Sequence, residues 1–166
     1  MNEMTNREMD EFEQKLKKFL ETNSVRAEQI LFRESVHSVE EAARALNASA
    51  ADLIKSIVFL GSDQLIVAIV SGEDRVSSGR VGRALEVPVP RIATSKEVLK
   101  YTGYPIGGVP PFGYHATVLI DTRVLQKKIL YGGGGSPRSL VRISPSELLR
   151  ASSGIVADIR EEHDIQ

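Results

Sequence analysis

The sequence contains no cysteine, which excludes disulfides, thiol catalysis and cysteine–zinc sites. Its histidines are His37, His115 and His163, dispersed without metal-ligand spacing, so neither a metal nor another cofactor is expected. Long apolar runs are missing too: Ile57–Leu60 and Leu65–Val70, the longest, are far too short to span a bilayer. The opening Met1–Asp10 is polar and mixed in charge, unlike a secretory leader. These absences predict a cytoplasmic protein with no membrane contact. Familiar catalytic signatures are absent as well. No G-x-S-x-G elbow supports a serine triad, and neither a P-loop nor a G-x-G-x-x-G turn in a βαβ setting occurs.

What is present fits one domain over 1–166 with a buried core of ordinary composition, 42% hydrophobic and 26% charged. The net charge of −1 conceals a gradient: residues 1–54 carry −4, residues 55–150 carry +6, and residues 151–166 carry −3. The basic stretch suits a phosphate-bearing partner, although a solvated basic face is the commoner explanation of so modest an excess.

Phe12, Leu16, Phe19 and Leu20 recur at helical spacing, predicting an amphipathic helix over about residues 5–21. Gln29–Glu34 reads as a short strand. Ser38 with Glu41 makes a capping box that opens a helix through Leu46, and Ser49 with Asp52 repeats the pattern weakly. Ser56–Leu60, the turn Gly61-Ser62-Asp63 and Leu65–Val70 predict a hairpin, apolar on successive residues and hence covered on both faces. Ser78 caps a short helix carrying Val81, Ala84 and Leu85, with Arg80 and Arg83 outward. Val87–Ala93, broken by Pro88 and Pro90, suits an edge strand. Thr94–Glu97 is a capping box for a helix ending at Gly103. Strands are predicted at Ala116–Asp121, Lys128–Tyr131, Leu140–Ile143 and Ile155–Ile159, with a turn or short helix at Thr122–Gln126. Ser144-Pro145-Ser146-Glu147 opens a last helix through Ser152. Hairpins mixed with short helices point to an α+β fold.

Two loops and one lysine stand out. Thr102–Gly113 holds four of the thirteen glycines and three of the seven prolines, a composition for a shaped loop. Its Gly107-Gly108 peptides are placed to offer N–H groups to a carbonyl oxygen or phosphate, and a rigid turn between two elements explains them as well. Gly132–Gly135, followed by Ser136-Pro137-Arg138, lets a ligand or another backbone pass close, or forms a mobile hairpin loop. Lys55 stands where the helical pattern stops and the hairpin begins. It can set its ammonium at a sheet end, although a snorkelling lysine is the commoner occupant of such a boundary. His37, just before the Ser38 cap, can face a pocket.

Together these pieces resemble the YbaK/ProX family of aminoacyl-tRNA deacylases, related to the editing insertion domain of bacterial prolyl-tRNA synthetases. The likeness runs in order through Ser38–Leu46, Ile54–Val58 with the hairpin, Thr102–Gly113, Gly132–Gly135, Ser144–Leu149 and Val156–Ile159. It covers residues 25–160, leaving 1–24 as an N-terminal amphipathic helix. The resemblance implies a curved, barrel-like mixed β-sheet with flanking helices. It implies hydrolysis, in trans, of the ester that joins a wrong amino acid to tRNA, with alanyl- or cysteinyl-tRNA(Pro) as substrates. On this likeness Lys55, Gly107 and Gly108 are the catalytic residues. His37, Ser56, Pro110, Phe112, Gly133, Gly134 and Ser136 bind substrate. The partners are the acceptor end of aminoacyl-tRNA and prolyl-tRNA synthetase, with the oligomeric state left open. Some members have a pocket tyrosine near Phe32–Glu34 and an aspartate near Ser139–Val141; this chain has neither. Two other readings remain: a module that binds tRNA ends or nucleotides without turnover, and a protein that recruits a synthetase through Phe12, Leu16 and Phe19.

Overall fold

The computed structural model describes residues 7–162, so His163 and both extreme ends fall outside the described residues. Helix α1 is Glu11–Thr22, capped by Asp10, whose carboxylate accepts the Glu13 amide while Glu13 accepts the Asp10 amide. This capping box, absent from the reading of the sequence, sets the helix start later than periodicity predicts. Strand β1 (Ala27–Leu31) lies two residues earlier than predicted. Helix α2 (Val39–Leu46) begins at the Ser38–Glu41 box and stops at Asn47, whose backbone is left-handed at φ 53. After a single 3-10 turn at Ala50–Asp52 come β2 (Ile54–Leu60) and β3 (Leu65–Ser71), the hairpin.

Ser77, not Ser78, caps α3 (Ser78–Leu85), because its hydroxyl reaches the Arg80 amide. Arg80 does not simply point outward: it donates to the Arg160 carbonyl and pairs with Glu162. The predicted edge strand shrinks to β4 (Arg91–Ile92). Proline has no N–H for a ladder, and the Val87 amide is used to close α3 on the Gly82 carbonyl. Then follow α4 (Ser95–Thr102), β5 (Thr117–Asp121), a 3-10 segment (Thr122–Gln126), β6 (Leu130–Gly133), β7 (Ser139–Ile143), α5 (Pro145–Ser152) and β8 (Ile155–Ala157).

The strands form a five-stranded mixed sheet in the order β4-β2-β3-β5-β8 and a three-stranded antiparallel sheet β1-β7-β6. β2 pairs antiparallel with β3, while β3–β5 and β5–β8 are parallel. A parallel bridge between Leu53 and Tyr131 ties the two sheets together. The fold is α+β, as the sequence pattern implies.

One face of the five-stranded sheet meets the main core, with Ile54, Val58, Val67, Ile69 and Ile120 against Leu16 of α1 and Val141 of β7. The other face packs Phe59, Ile66, Ala68, Val70 and Leu119 against Val81 of α3. Burial on both faces is why Leu65–Val70 shows no alternation. Helix α1 sets Phe12 near Tyr104 and stacks Phe19 on Phe112, with ring centroids 5.6 Å apart. Its apolar face thus packs on the chain's own core, with Leu16 buried and Phe12 and Phe19 half-buried. Among the described residues no helix is long and apolar enough to cross a membrane.

Candidate active site

A cleft of about 340 Å³ opens between the two sheets, beside the outer edge of β2. Val36, Val39 and Ala42 line it from the α2 side, Ile92, Ala93 and Val98 from β4 and α4, and Leu140 from β7. Of the residues singled out in the sequence, His37, Lys55, Ser56, Gly107 and Gly133 line this cleft. All five are partly or fully exposed. Gly108, Pro110, Phe112, Gly134 and Ser136 do not line it, and all five are buried. No carboxylate lines the cleft.

Lys55 and Ser56 reach the cleft from opposite faces of one strand. Side chains alternate along β2, so Lys55 shares a face with Ile57 and Phe59, and Ser56 shares one with Ile54 and Val58. The cleft runs along the strand's edge and so takes walls from both faces. Burial pushes the Lys55 ammonium below the ordinary lysine range; Asp74 opposes the shift and Arg75 adds to it. Among the described residues no hydrogen-bond or ion-pair partner holds that ammonium, which leaves it available to a ligand.

His37 stands at the rim, its Nδ1 3.0 Å from a Glu41 carboxylate oxygen and beside the Ser35 hydroxyl. Ser35 also donates to Glu41 at 3.1 Å. Burial alone would raise the Glu41 carboxyl, but hydrogen bonds from Ser35 and the Ser38 amide, with His37 nearby, pull it below its usual range. The α2 capping box thus also orients the histidine.

Gly107 has a left-handed backbone, φ 87, and an added Cβ would lie 2.8 Å from the His37 Cβ. Its amide has no protein partner among the described residues. Gly108 differs from the expectation: its amide is donated to the Pro105 carbonyl at 3.0 Å, closing a turn, so only Gly107 of the pair has an amide to offer.

At the second glycine run the structure takes one of the alternatives the sequence leaves open, the close approach of another stretch of backbone. Gly132 and Gly133 belong to β6 and line the cleft, and the missing Cβ atoms of the run also make room for backbone of the first loop. A Cβ on Gly133 would meet the Val109 carbonyl oxygen at 2.1 Å, and one on Gly108 the Ser136 backbone at 2.5 Å. A Cβ on Gly134 would meet the Leu140 amide nitrogen at 2.5 Å. Ser136 belongs to this junction: its hydroxyl donates to Glu13 of α1, a carboxylate also held by Arg7 at 2.7 Å. Pro110 accepts the Tyr114 hydroxyl at 2.6 Å, and Phe112 lies in the core.

The chain carrying this cleft has known relatives. A sequence profile described as "Aminoacyl-tRNA editing domain" matches residues 33–151. The chain belongs to that family. It is 30% identical over 120 residues to the uncharacterized protein YwhH of Bacillus subtilis, covering 70% of this chain and 76% of YwhH. It is 29% identical over 99 residues to a proline–tRNA ligase of Thermotoga neapolitana, covering 60% of this chain but 17% of the ligase. Among solved structures, one titled as a candidate trans-editing enzyme for prolyl tRNA synthetase superposes with a TM-score of 0.87. That match has 32% identity and covers 93% of this chain and all of the other.

The lining contributed by Val36, Val39, Ala42, Ala93 and Val98 was not legible beforehand. In sequence Val39, Ala42 and Val98 look like the core-facing stripes of α2 and α4, and Val36 and Ala93 like apolar residues just before them. The one signal that could have found Val36 and Ala93 is their position, beside His37 and shortly after Pro88 and Pro90.

Proposed function

We propose that this member of the editing family is a trans-acting deacylase that hydrolyses the ester of mischarged tRNA in the cytoplasm. Alanyl- or cysteinyl-tRNA(Pro) is the substrate class, prolyl-tRNA synthetase being the enzyme whose errors it removes. The observation that carries this reading is that Lys55, whose ammonium has no partner among the described residues, and Gly107, whose amide has none either, line one small apolar cleft with room for a short uncharged side chain. An aminoacyl ester is already activated, so positioning and charge stabilisation suffice without a triad.

Water adds to the ester carbonyl carbon, and the negative charge that develops on the carbonyl oxygen is met by the Gly107 N–H. Lys55 holds the ester end and the adjoining phosphate. The vicinal ribose hydroxyl orients the attacking water. Collapse of the adduct breaks the bond to the ribose oxygen, which takes up the proton and leaves a free amino acid and an intact tRNA.

The test is hydrolysis of a panel of mischarged tRNAs by the wild-type protein and by Lys55→Ala. Release of one amino acid that disappears in the folded variant is the expected result. No release from any member of the panel would overturn the proposal.

A further inference from the structure

The hydrogen-bond parity of the β2–β3 hairpin decides which way the backbone of each β2 residue points. Gly72 donates its amide to the Leu53 carbonyl at 2.8 Å, and Gly61 donates to the Gln64 carbonyl at 3.0 Å. Both are directly opposed pairs in the register that sets Ile54 against Ser71. Hydrogen-bonded pairs alternate along an antiparallel ladder, so they fall on Leu53, Lys55, Ile57, Phe59 and Gly61. The amides and carbonyls of Ile54, Ser56 and Val58 therefore point away from β3, toward the outer edge. Val58 confirms this, for its carbonyl accepts the Ala93 amide on that side at 2.9 Å.

That outer edge is covered only at its ends. The Leu53–Tyr131 bridge closes one end, and β4, beginning at the Val58–Ala93 bond, closes the other. On that outer edge no strand among the described residues pairs with β2 at Ser56, whose β3 partner Ile69 lies on the other side, and Ser56 lines the cleft. The gap in pairing is one residue wide. It presents an N–H and a C=O at the spacing of a strand seeking a partner.

We propose that the aminoacyl group of the substrate docks into this gap as a single residue of an antiparallel strand opposite Ser56. The Ser56 N–H donates to the acyl carbonyl oxygen, and the Ser56 carbonyl accepts from the α-amino group. An α-aminoacyl ester carries its donor and acceptor on the same carbon framework as a peptide residue, so both bonds form together. The absence of a cleft carboxylate gives the second bond its weight, because a backbone carbonyl is then the acceptor for the substrate's amine. This inference rests on the deacylase reading for the identity of the ligand, and it adds that the protein recognises the α-amino group through main-chain atoms. Deleting that amine, or moving it one carbon away, removes a bond without changing the size of the acyl group much.

The test uses non-hydrolysable 3′-amide analogues of the acceptor end: 3′-alanylamino-, 3′-propionylamino- and 3′-β-alanylamino-3′-deoxyadenosine. Affinities for the full chain are measured by calorimetry, with the Ser56 amide followed by NMR. The alanyl analogue should bind at least about tenfold more tightly than the other two and move the Ser56 amide resonance downfield. Equal affinities, or a preference with the Ser56 amide unmoved, would overturn the docking. Ser56→Pro removes the outward N–H, which an unpaired edge tolerates, and Ser56→Ala serves as the control for the hydroxyl lost with it. Folded Ser56→Pro should lose the preference for the alanyl analogue, and retention of that preference would count against the proposal. Deacylation of alanyl-tRNA by the same preparation is read separately. Analogue preference without turnover would remove the enzymatic reading and keep the docking, while turnover without preference would do the reverse.

Discussion

Gly135 donates its amide to the Gly108 carbonyl across 2.8 Å, joining two glycine-rich segments far apart in the sequence. On either side of that bond the backbones approach so closely that side chains would not fit. Gly133→Ala would drive a methyl group into the Val109 carbonyl oxygen, and neither partner is a side chain that can swing aside. We expect a loss of about 3 kcal/mol or more in urea unfolding. A loss under about 1 kcal/mol would show that the junction yields.

Glu13 ties the same junction to α1. Its carboxylate is fully buried, and although burial pushes it up, the bonds from Arg7, Ser136 and the Asp10 amide hold it down at about 2, against an ordinary 4.5. A carboxyl depressed in the folded state adds stability that is complete above its unfolded value and disappears as pH falls from 4.5 toward 2. Glu13→Gln should cost on the order of 2–3 kcal/mol at neutral pH and flatten the stability profile over that acidic window. Unfolding midpoints of both proteins from pH 6 down to pH 3 would check this, and parallel profiles would refute it.

Lys55→Ala should lower the acceleration of ester hydrolysis by about 100-fold or more while leaving thermal unfolding nearly unchanged, since no protein partner is lost. Because burial depresses the ammonium, a role that needs its charge should fade at a pH below the ordinary lysine value of 10.5. The observable is the enzymatic rate divided by the spontaneous rate as pH rises. A ratio constant up to 10.5 would separate the catalytic charge from Lys55.

Residues 55–150 carry +6, so association with tRNA should weaken as salt rises, with log K falling by about 0.7 to 0.9 per neutralised phosphate for each unit of log salt. Filter binding between 50 and 200 mM salt would measure the slope. A flat line would mean that the acceptor end is held without phosphate contacts.

Most element boundaries were legible because short polar patterns mark them. Ser38–Glu41, Thr94–Glu97 and Ser144–Glu147 each begin a helix where the sequence says so, and Leu65–Val70 announces a strand buried on both faces. Lys55, Gly107 and His37 also emerge together at the cleft. The glycine runs left two uses open for a physical reason: a missing Cβ reads alike whether a ligand or another stretch of backbone occupies the space. Gly108, Gly134 and Ser136 turned out to serve the second purpose. The acid-free lining was hidden because Val39 and Ala42 lie on the same periodic stripe that fills an ordinary core. The direction of the Ser56 amide had no sequence signal, because it depends on the parity of a turn and not on any side chain.

An unpaired strand edge ordinarily invites a second copy of the chain to add a strand, the first step toward aggregation. Here β4 and the Leu53–Tyr131 bridge stop that invitation after one residue. The interval is too short for a neighbouring strand to gain a ladder, yet long enough for one acyl group. Denying a second strand a ladder and admitting a solitary amino acid are then the same geometric requirement. Changes that retract β4 from Val58 should loosen both, trading a selective cleft for a surface prone to self-association.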